Sequence, residues 1–307
     1  MATEQNVEYT RAVDEVHERL QAIGLSDPRV TVATAAVLLG GEIVFDIHGR
    51  SPEELQIVYK AEAGKTPRTV ADMESGRVGK ELIRQQFPMH RINEEETGDE
   101  QGDENAHHLD PLDGTSSYAR GLRYSTVGDA VYYKDKPFAA AICHPFEREL
   151  VVVQVGKGAH LFALDEHLRT LTYVRQLEVS RNSLEGGIAF IDALFNDKTS
   201  PRKFGFMADL VKLAHNNLGF RMSGSNIDQE MKVAAGRAEL TLTDAVGGFF
   251  DVAAGGLAII EAGGKFTDQE GNPVSETTQV AIGTNGLIHD NALEVTRRRY
   301  TGYQGFK

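Results

Sequence analysis

The sequence predicts a mixed α/β protein, and three observations carry that expectation. Apolar residues recur at helical spacing near the start of the chain, as in Val13, Val16, Leu20 and Ile23. Between residues 126 and 155 three short apolar runs are separated by turn-forming segments, Lys134-Asp135-Lys136-Pro137 and His144-Pro145. Helical and strand-like segments then alternate toward the C-terminus. With 307 residues, 41% of them hydrophobic and 25% charged, the chain can build one large domain or two closely packed ones.

Taken in order, residues 8–23 read as an amphipathic helix, broken by Asp27-Pro28. The apolar run 30–45 has the length of a buried helix, although Gly40-Gly41 weakens helix propensity there. A turn at Gly64-Lys65-Thr66-Pro67 precedes a helix that starts near Asp72 and carries Val78, Leu82, Ile83 and Phe87 on its apolar face. An Asp at a helix start is ordinarily a capping carboxylate. Residues 94–104 are strongly acidic. Their first half follows Ile92 and reads as the end of a strand, the second half as a solvated loop. Segments 126–133, 138–143 and 149–155 form an antiparallel meander. A strand at 187–191, a helix at 209–218, a helix at 227–235 ended by Gly236 and a strand at 238–242 come next. Gly247-Gly248 leads to a helix entered at Asp251, stopped by Gly263. Strands at 265–267 and 279–283 and a helix at 290–298 complete the reading.

Composition narrows the function. The net charge of −13 argues against non-specific nucleic-acid binding, which needs a basic surface. It suits an anionic substrate only where bound cations reverse the local sign. Cys143 is the single cysteine, so no internal disulfide and no thiolate-rich metal site are possible, and a reducing, cytoplasmic setting is expected. No apolar run is expected to reach a membrane span.

The chemistry is expected around Leu109-Asp110-Pro111-Leu112-Asp113-Gly114-Thr115-Ser116-Ser117-Tyr118. Pro111 pushes Asp110 toward an extended conformation, so a strand ending there and a tight turn would aim both carboxylates into one small space. Gly114 permits close backbone approach, and residues 115–117 open a helix whose free amides attract an anion. Carboxylates for hard cations beside an anion hole point to metal-assisted phosphoryl chemistry. On these residues alone, an Asp-Pro turn followed by an N-cap accounts for the stretch equally well.

The wider pattern resembles the inositol monophosphatase family of metal-dependent, lithium-sensitive phosphomonoesterases. The elements are Asp72, then Glu95-Glu96, then Asp110-Pro111-Leu112-Asp113-Gly114-Thr115, then Phe250-Asp251-Val252-Ala253-Ala254-Gly255, in the family's order. Three departures stand out. Phe250 replaces a Trp, His107-His108 occupies a normally apolar strand and would place two imidazoles near the site, and Glu94-Glu95-Glu96 leaves the glutamate register open. Counting from Pro88 and from Thr97-Gly98 favours Glu95 as first ligand, with Glu96 as its companion.

The resemblance implies a layered αβαβα sandwich with an N-terminal half (1–185) bearing most metal ligands and a C-terminal half (186–307) bearing Asp251 and substrate-side residues. It implies two or three Mg²⁺ ions, one held by Glu95, Asp110 and the Leu112 carbonyl, another by Asp110, Asp113 and Asp251. Glu95 would orient and deprotonate the attacking water, helped by Thr115, itself polarised by Asp72. The amides of Gly114, Thr115 and Ser116 would cradle phosphate. Gly224, Ser225 and Asp244 would meet the alcohol, with Arg221 a helper at a phosphate or a subunit contact. A small phosphorylated polyol or sugar is the expected partner and a homodimer the expected assembly. Sugar bisphosphates, histidinol phosphate and 3′-phosphoadenosine nucleotides are rival substrates, and a non-catalytic, metal-binding regulatory member is the rival of another class.

Overall fold

The computed structural model describes residues 2–60, 67–191, 200–245 and 247–297, with the side chains of 2–8, 200–206 and 244 outside that description. Helices α1 (Ala2–Gln21), α2 (Pro28–Ile47) and the short α3 (Pro52–Leu55) come first. A small ribbon of β1 (Val58–Tyr59) and β2 (Pro67–Arg68) leads into α4 (Val70–Gln86). A large sheet follows, made by β3 (Arg91–Glu94), β4 (Gly98–Glu100), β5 (Asn105–Asp113), β6 (Thr126–Tyr133), β7 (Lys136–His144), β8 (Glu149–Gln154), β9 (Gly158–Leu164) and β10 (Leu171–Gln176), with the one-turn α5 (Thr115–Tyr118) after β5. The remainder contains β11 (Gly187–Ile191), α6 (Ser200–Leu213), β12 (Leu218–Arg221), α7 (Asn226–Ala234) and β13 (Leu240–Asp244). It ends with α8 (Phe250–Glu261), β14 (Lys265–Asp268), β15 (Val280–Thr284) and α9 (His289–Arg297).

The large sheet runs β10-β9-β8-β7-β6-β5-β3-β4, and a five-stranded sheet runs β12-β11-β13-β15-β14. Strand alternation divides the large sheet into two buried faces. Val127, Val131, Leu150 and Val152 pack with α1, α2 and α4, while Ala130, Ile142, Val151 and Val153 pack with Ile227, Met231, Leu257 and Ala258 of α7 and α8. Leu210 of α6 and Leu293 of α9 join Ala189, Leu240 and Ile282 of the second sheet in a third cluster. The order of layers is therefore α, β, α, β, α, as the resemblance implied. The sheets change between Gln176 and Gly187, and α7 and α8 form the layer between them.

Several local expectations need correction. The glycine pair in α2 marks contacts, since a Cβ at Gly40 would meet Ser75 Oγ at 2.6 Å and one at Gly41 would meet Cys143 Sγ at 2.5 Å. At 20 residues and a mean hydropathy of 1.8, α2 is in fact long and apolar enough to cross a membrane. Most of it is buried, however, from Val30 to Ile47, as befits a core helix between α4 and the sheet. Within the acidic run Gly98–Glu100 pair as β4 along β3, held by ion pairs from Asp99 to Arg91 at 2.8 Å and from Glu100 to Arg84 at 3.0 Å, while residues 101–104 form the exposed loop expected of them. The helix expected over 209–218 ends at Leu213, because His215 and Asn216 take positive φ and Leu218 begins β12.

Candidate active site

The turn after β5 is built by a bulge. Asp110 pairs with Gly128 and Asp113 with Thr126, so three steps along β5 match two along β6. Regular alternation would send Asp110 and Asp113 to opposite faces, and the extra residue turns them to the same side. The strand thus continues through Pro111 to Asp113, past the expected end at Asp110. Gly114 then adopts φ 86°, and a Cβ there would run into the Tyr124 carbonyl, so the turn requires glycine.

Asp110, Asp113 and Asp251 are all buried, and each offers an oxygen within 4.8 Å of the others. Asp110 Oδ1 accepts from the Leu112 amide at 3.0 Å, while its Oδ2 is buried with no hydrogen-bond partner. Asp113 Oδ2 accepts from the Ser225 hydroxyl at 2.5 Å and the Ile227 amide at 2.7 Å. Asp251 Oδ2 accepts from the amides of Gly247 at 2.8 Å and Gly248 at 3.3 Å. The N-cap of α8 is Phe249, so Asp251 stands at the second helical position, two residues past the place expected for a capping acid. Burial pushes the Asp110 carboxyl well above the usual range, and the charges of Glu95, Asp113 and Asp251 push it further. Asp251 is raised in the same way, first by burial and then by Asp113 and Glu95.

The structure separates the three glutamates. Glu94 accepts from the amides of Glu96 and Thr97, both at 3.0 Å, and from the Thr97 hydroxyl, which occupies it in its own turn. Glu95 is the residue whose charge reaches Asp72, Asp110 and Asp251. Lys60 Nζ lies 2.7 Å from Glu95 Oε1 and 2.5 Å from Glu96 Oε1. Burial, then the Glu95 charge, raises Glu96 to about 7 against the pull of Lys60. Sequence reasoning missed Lys60, because a single lysine after a two-residue strand carries no pattern.

Asp72 serves two purposes. Its Oδ2 closes the capping box of α4, accepting from the Thr69 amide at 2.8 Å and the Thr69 hydroxyl at 2.6 Å. Its Oδ1 lies 2.9 Å from Thr115 Oγ1, which is also 2.9 Å from the Leu112 carbonyl. Burial raises Asp72 to about 6, with the Glu95 charge adding to it and the threonine hydrogen bonds opposing. Ser116, next along, is exposed, and the amides of Ser117 and Tyr118 close onto the Gly114 carbonyl, both at 3.0 Å.

Other expected residues are placed differently. Gly224 has φ 79° and packs on Ser117, beside the Gly114 turn. Ser225 is fully buried, caps α7 by accepting from the Asp228 amide, and grips Asp113. Its hydroxyl is committed to the protein, which corrects its expected contact with the alcohol. Arg221 sits exposed at the end of edge strand β12, with its guanidinium 2.9 Å from the Phe220 carbonyl. Asp244 ends β13 opposite Val280, and its side chain lies outside the described residues. His107 and His108 face opposite ways, and the bonds described for them lead away from the cluster. His107 lies 2.7 Å from Asp129 and 3.2 Å from His90, while His108 packs edge-on against Phe249 and Tyr132. A second group, His144, Glu147 and Asp228, also draws together. There Lys232 already pairs with both acids, and His144 Nδ1 accepts from the Glu147 amide, leaving an Nε2–H to face Asp228.

A layered αβαβα sandwich with buried carboxylates gathered at a strand bulge and a helix start is the build of metal-dependent phosphatases. The chain belongs to the inositol monophosphatase family, whose family model matches residues 26–300. It is 28% identical over 277 residues to the inositol-1-monophosphatase of Synechocystis, covering 89% of this chain and 91% of that protein. It is 30% identical over 255 residues to the Nus factor SuhB of Pseudomonas aeruginosa, covering 80% and 87%. Among solved structures, the inositol monophosphatase from Anabaena aligns with a TM-score of 0.68 at 27% identity, covering 87% of this chain and 94% of that one. The Bartonella henselae suppressor protein SuhB aligns with a TM-score of 0.77 at 22% identity, covering 89% and 100%, a likeness of fold.

Proposed function

We propose that this protein hydrolyses a small phosphate monoester, a phosphorylated polyol or sugar such as inositol monophosphate, with Mg²⁺ as cofactor. The observation that carries the reading is the buried convergence of Asp110, Asp113 and Asp251. Such a set fits a hard divalent cation: its donors are carboxylate oxygens without thiolate or imidazole, and Asp110 Oδ2 is buried without a partner. Glu95, Asp110 and the Leu112 carbonyl would hold one ion, and Asp110, Asp113 and Asp251 a second. Bound there, Mg²⁺ supplies a lowered pKa for the attacking water and neutralises charge on the phosphate.

The chain's own residues do the rest. Thr115, whose hydroxyl donates to Asp72, accepts a hydrogen bond that aims the water, and Glu95 takes the water's other proton. The backbone amides of Gly114, Thr115 and Ser116 cradle the phosphoryl oxygens, so no covalent protein nucleophile is needed. Asp244 is the acceptor proposed for hydroxyls of the leaving alcohol. Ser116 follows Thr115 where a lysine would favour a second phosphate, which supports a monophosphate over a nucleotide bisphosphate.

The test is turnover on inositol monophosphate, a sugar bisphosphate and 3′-phosphoadenosine 5′-phosphate, with and without Mg²⁺, and with added lithium. Metal-dependent, lithium-inhibited turnover that favours the monophosphate supports the reading. A nucleotide preference above about tenfold in kcat/KM, ~1.4 kcal/mol, overturns the substrate class. The similarity to proteins named Nus factor SuhB supplies a second reading, a binding or regulatory role. Absence of turnover on every ester in saturating Mg²⁺ would favour it.

A further inference from the structure

Glu230 is a fully buried acid that the proposed chemistry does not use. It lies on α7, whose Ile227 and Met231 pack in one apolar cluster with Ala254 and Leu257 of α8. An aliphatic side chain is the ordinary occupant of such a place, and a buried carboxyl is costly unless its atoms are bonded. Glu230 Oε1 accepts from the Thr243 hydroxyl at 3.1 Å, which ties α7 to β13. Its Oε2 presses on Gly255 of α8, where any Cβ would collide with it, and the carboxyl faces the Gly256 amide of the same helix. Glu230 therefore stands where α7, β13 and α8 meet. Each of these elements leads to the carboxylate cluster. The start of α7 grips Asp113 through Ser225 and Ile227, α8 carries Asp251, and Gly247 and Gly248, whose amides hold Asp251, follow β13.

We propose that Glu230 is a positioning residue that sets the separation of Asp113 and Asp251, by tying α7 to β13 and spacing α7 from α8 at Gly255. The inference rests on the reading of those two aspartates as cation ligands. Burial, then the charges of Asp113 and Asp251, raise Glu230 well above the usual carboxylate range, in line with an uncharged spacer. Glutamine keeps that size and the acceptor for Thr243, whereas leucine keeps the bulk and loses the tie.

Calorimetric titration of the full chain with MgCl₂, beside thermal unfolding in EDTA, tests this. Wild type, E230Q, E230L and T243V are compared. The expected result is E230Q binding within about twofold of wild type, E230L at least tenfold weaker and T243V about threefold weaker, with the Tm in EDTA of each kept within a few degrees. E230L and T243V binding Mg²⁺ like wild type would overturn the proposal. So would E230Q failing as badly as E230L, because charge and not spacing would then be at work. If E230L does not fold, T243V against E230Q decides by the same comparison. Wild type that binds no divalent cation overturns the metal reading itself, an outcome distinct from either.

Discussion

Asp113→Asn separates the ligand reading from a structural one because the two predict opposite signs. The carboxylate lies within 4.8 Å of oxygens on Asp110 and Asp251. At that distance an ionised pair repels by ~3.5 kcal/mol at an effective dielectric of about 20. Burial and mutual charge raise the Asp110 and Asp251 carboxyls well above the usual range, so the full Coulomb figure is an upper bound on what can be relieved. Asparagine keeps an acceptor oxygen for the Ser225 hydroxyl and the Ile227 amide. In EDTA the variant is therefore expected to gain ~1–3 kcal/mol, and at about 2 °C per kcal/mol for a chain of this size its Tm rises by several degrees. With Mg²⁺ the order reverses. Losing one ligand charge costs on the order of 3 kcal/mol of transition-state stabilisation, a hundredfold or more in kcat/KM. The assays are calorimetry in EDTA and steady-state phosphate release in saturating Mg²⁺. Unchanged turnover would refute the ligand assignment, and a lower Tm in EDTA would show that the Ser225–Ile227 grip needs the charge.

Two further outcomes follow from the same site. Asp72 and Glu96 sit at about 6 and about 7, above the ~4 they take in an unfolded chain, so the metal-free native state binds more protons across that interval. Stability in EDTA is expected to fall as pH rises from about 4 to 7, by up to ~3 kcal/mol for Asp72, and saturating Mg²⁺ should flatten the profile; a rise across that window in EDTA would contradict it. Ser225→Ala removes both the N-cap of α7 and a donor to Asp113, so ~1–2 kcal/mol of stability and about tenfold in activity should go together, with Ser225→Thr restoring both.

The sequence carried the site further than it carried the edges of the fold. Asp-Pro-Leu-Asp-Gly-Thr, the acidic pair and the aspartate before Val252 are dense local signals, and the layered architecture came with them by resemblance. The bulge was not legible, since it depends on how β5 registers with β6 and not on Pro111 alone. Strand β10 was missed because Thr172 to Gln176 are all exposed and show no alternation. Strand β4 was hidden by its charges, which the partners Arg91, Lys80 and Arg84 make affordable only after the helix and sheet are in place. Ser225 was assigned to substrate because a glycine-serine turn does not reveal that its hydroxyl points inward. Glu94, Glu95 and Glu96 are chemically identical in a string, and only the turn that uses up Glu94 distinguishes them.

Carboxylates crowded in one place should tear a fold apart, and the hydrogen bonds explain why this one holds. Asp72 answers the Thr69 amide, Asp110 the Leu112 amide, Asp113 the Ile227 amide, and Asp251 the amides of Gly247 and Gly248. In each case one oxygen is fixed by a backbone N–H, a hydrogen bond worth ~0.5–1.5 kcal/mol that strengthens as the carboxylate ionises. Those bonds orient the carboxylates before any cation arrives. They also come from a helix cap, a strand bulge, a helix start and a glycine loop, elements that the large sheet and the α7–α8 layer hold together. A site assembled this way keeps its geometry at the expense of raised pKa values, and it is the raised carboxylates that give cations something to stabilise.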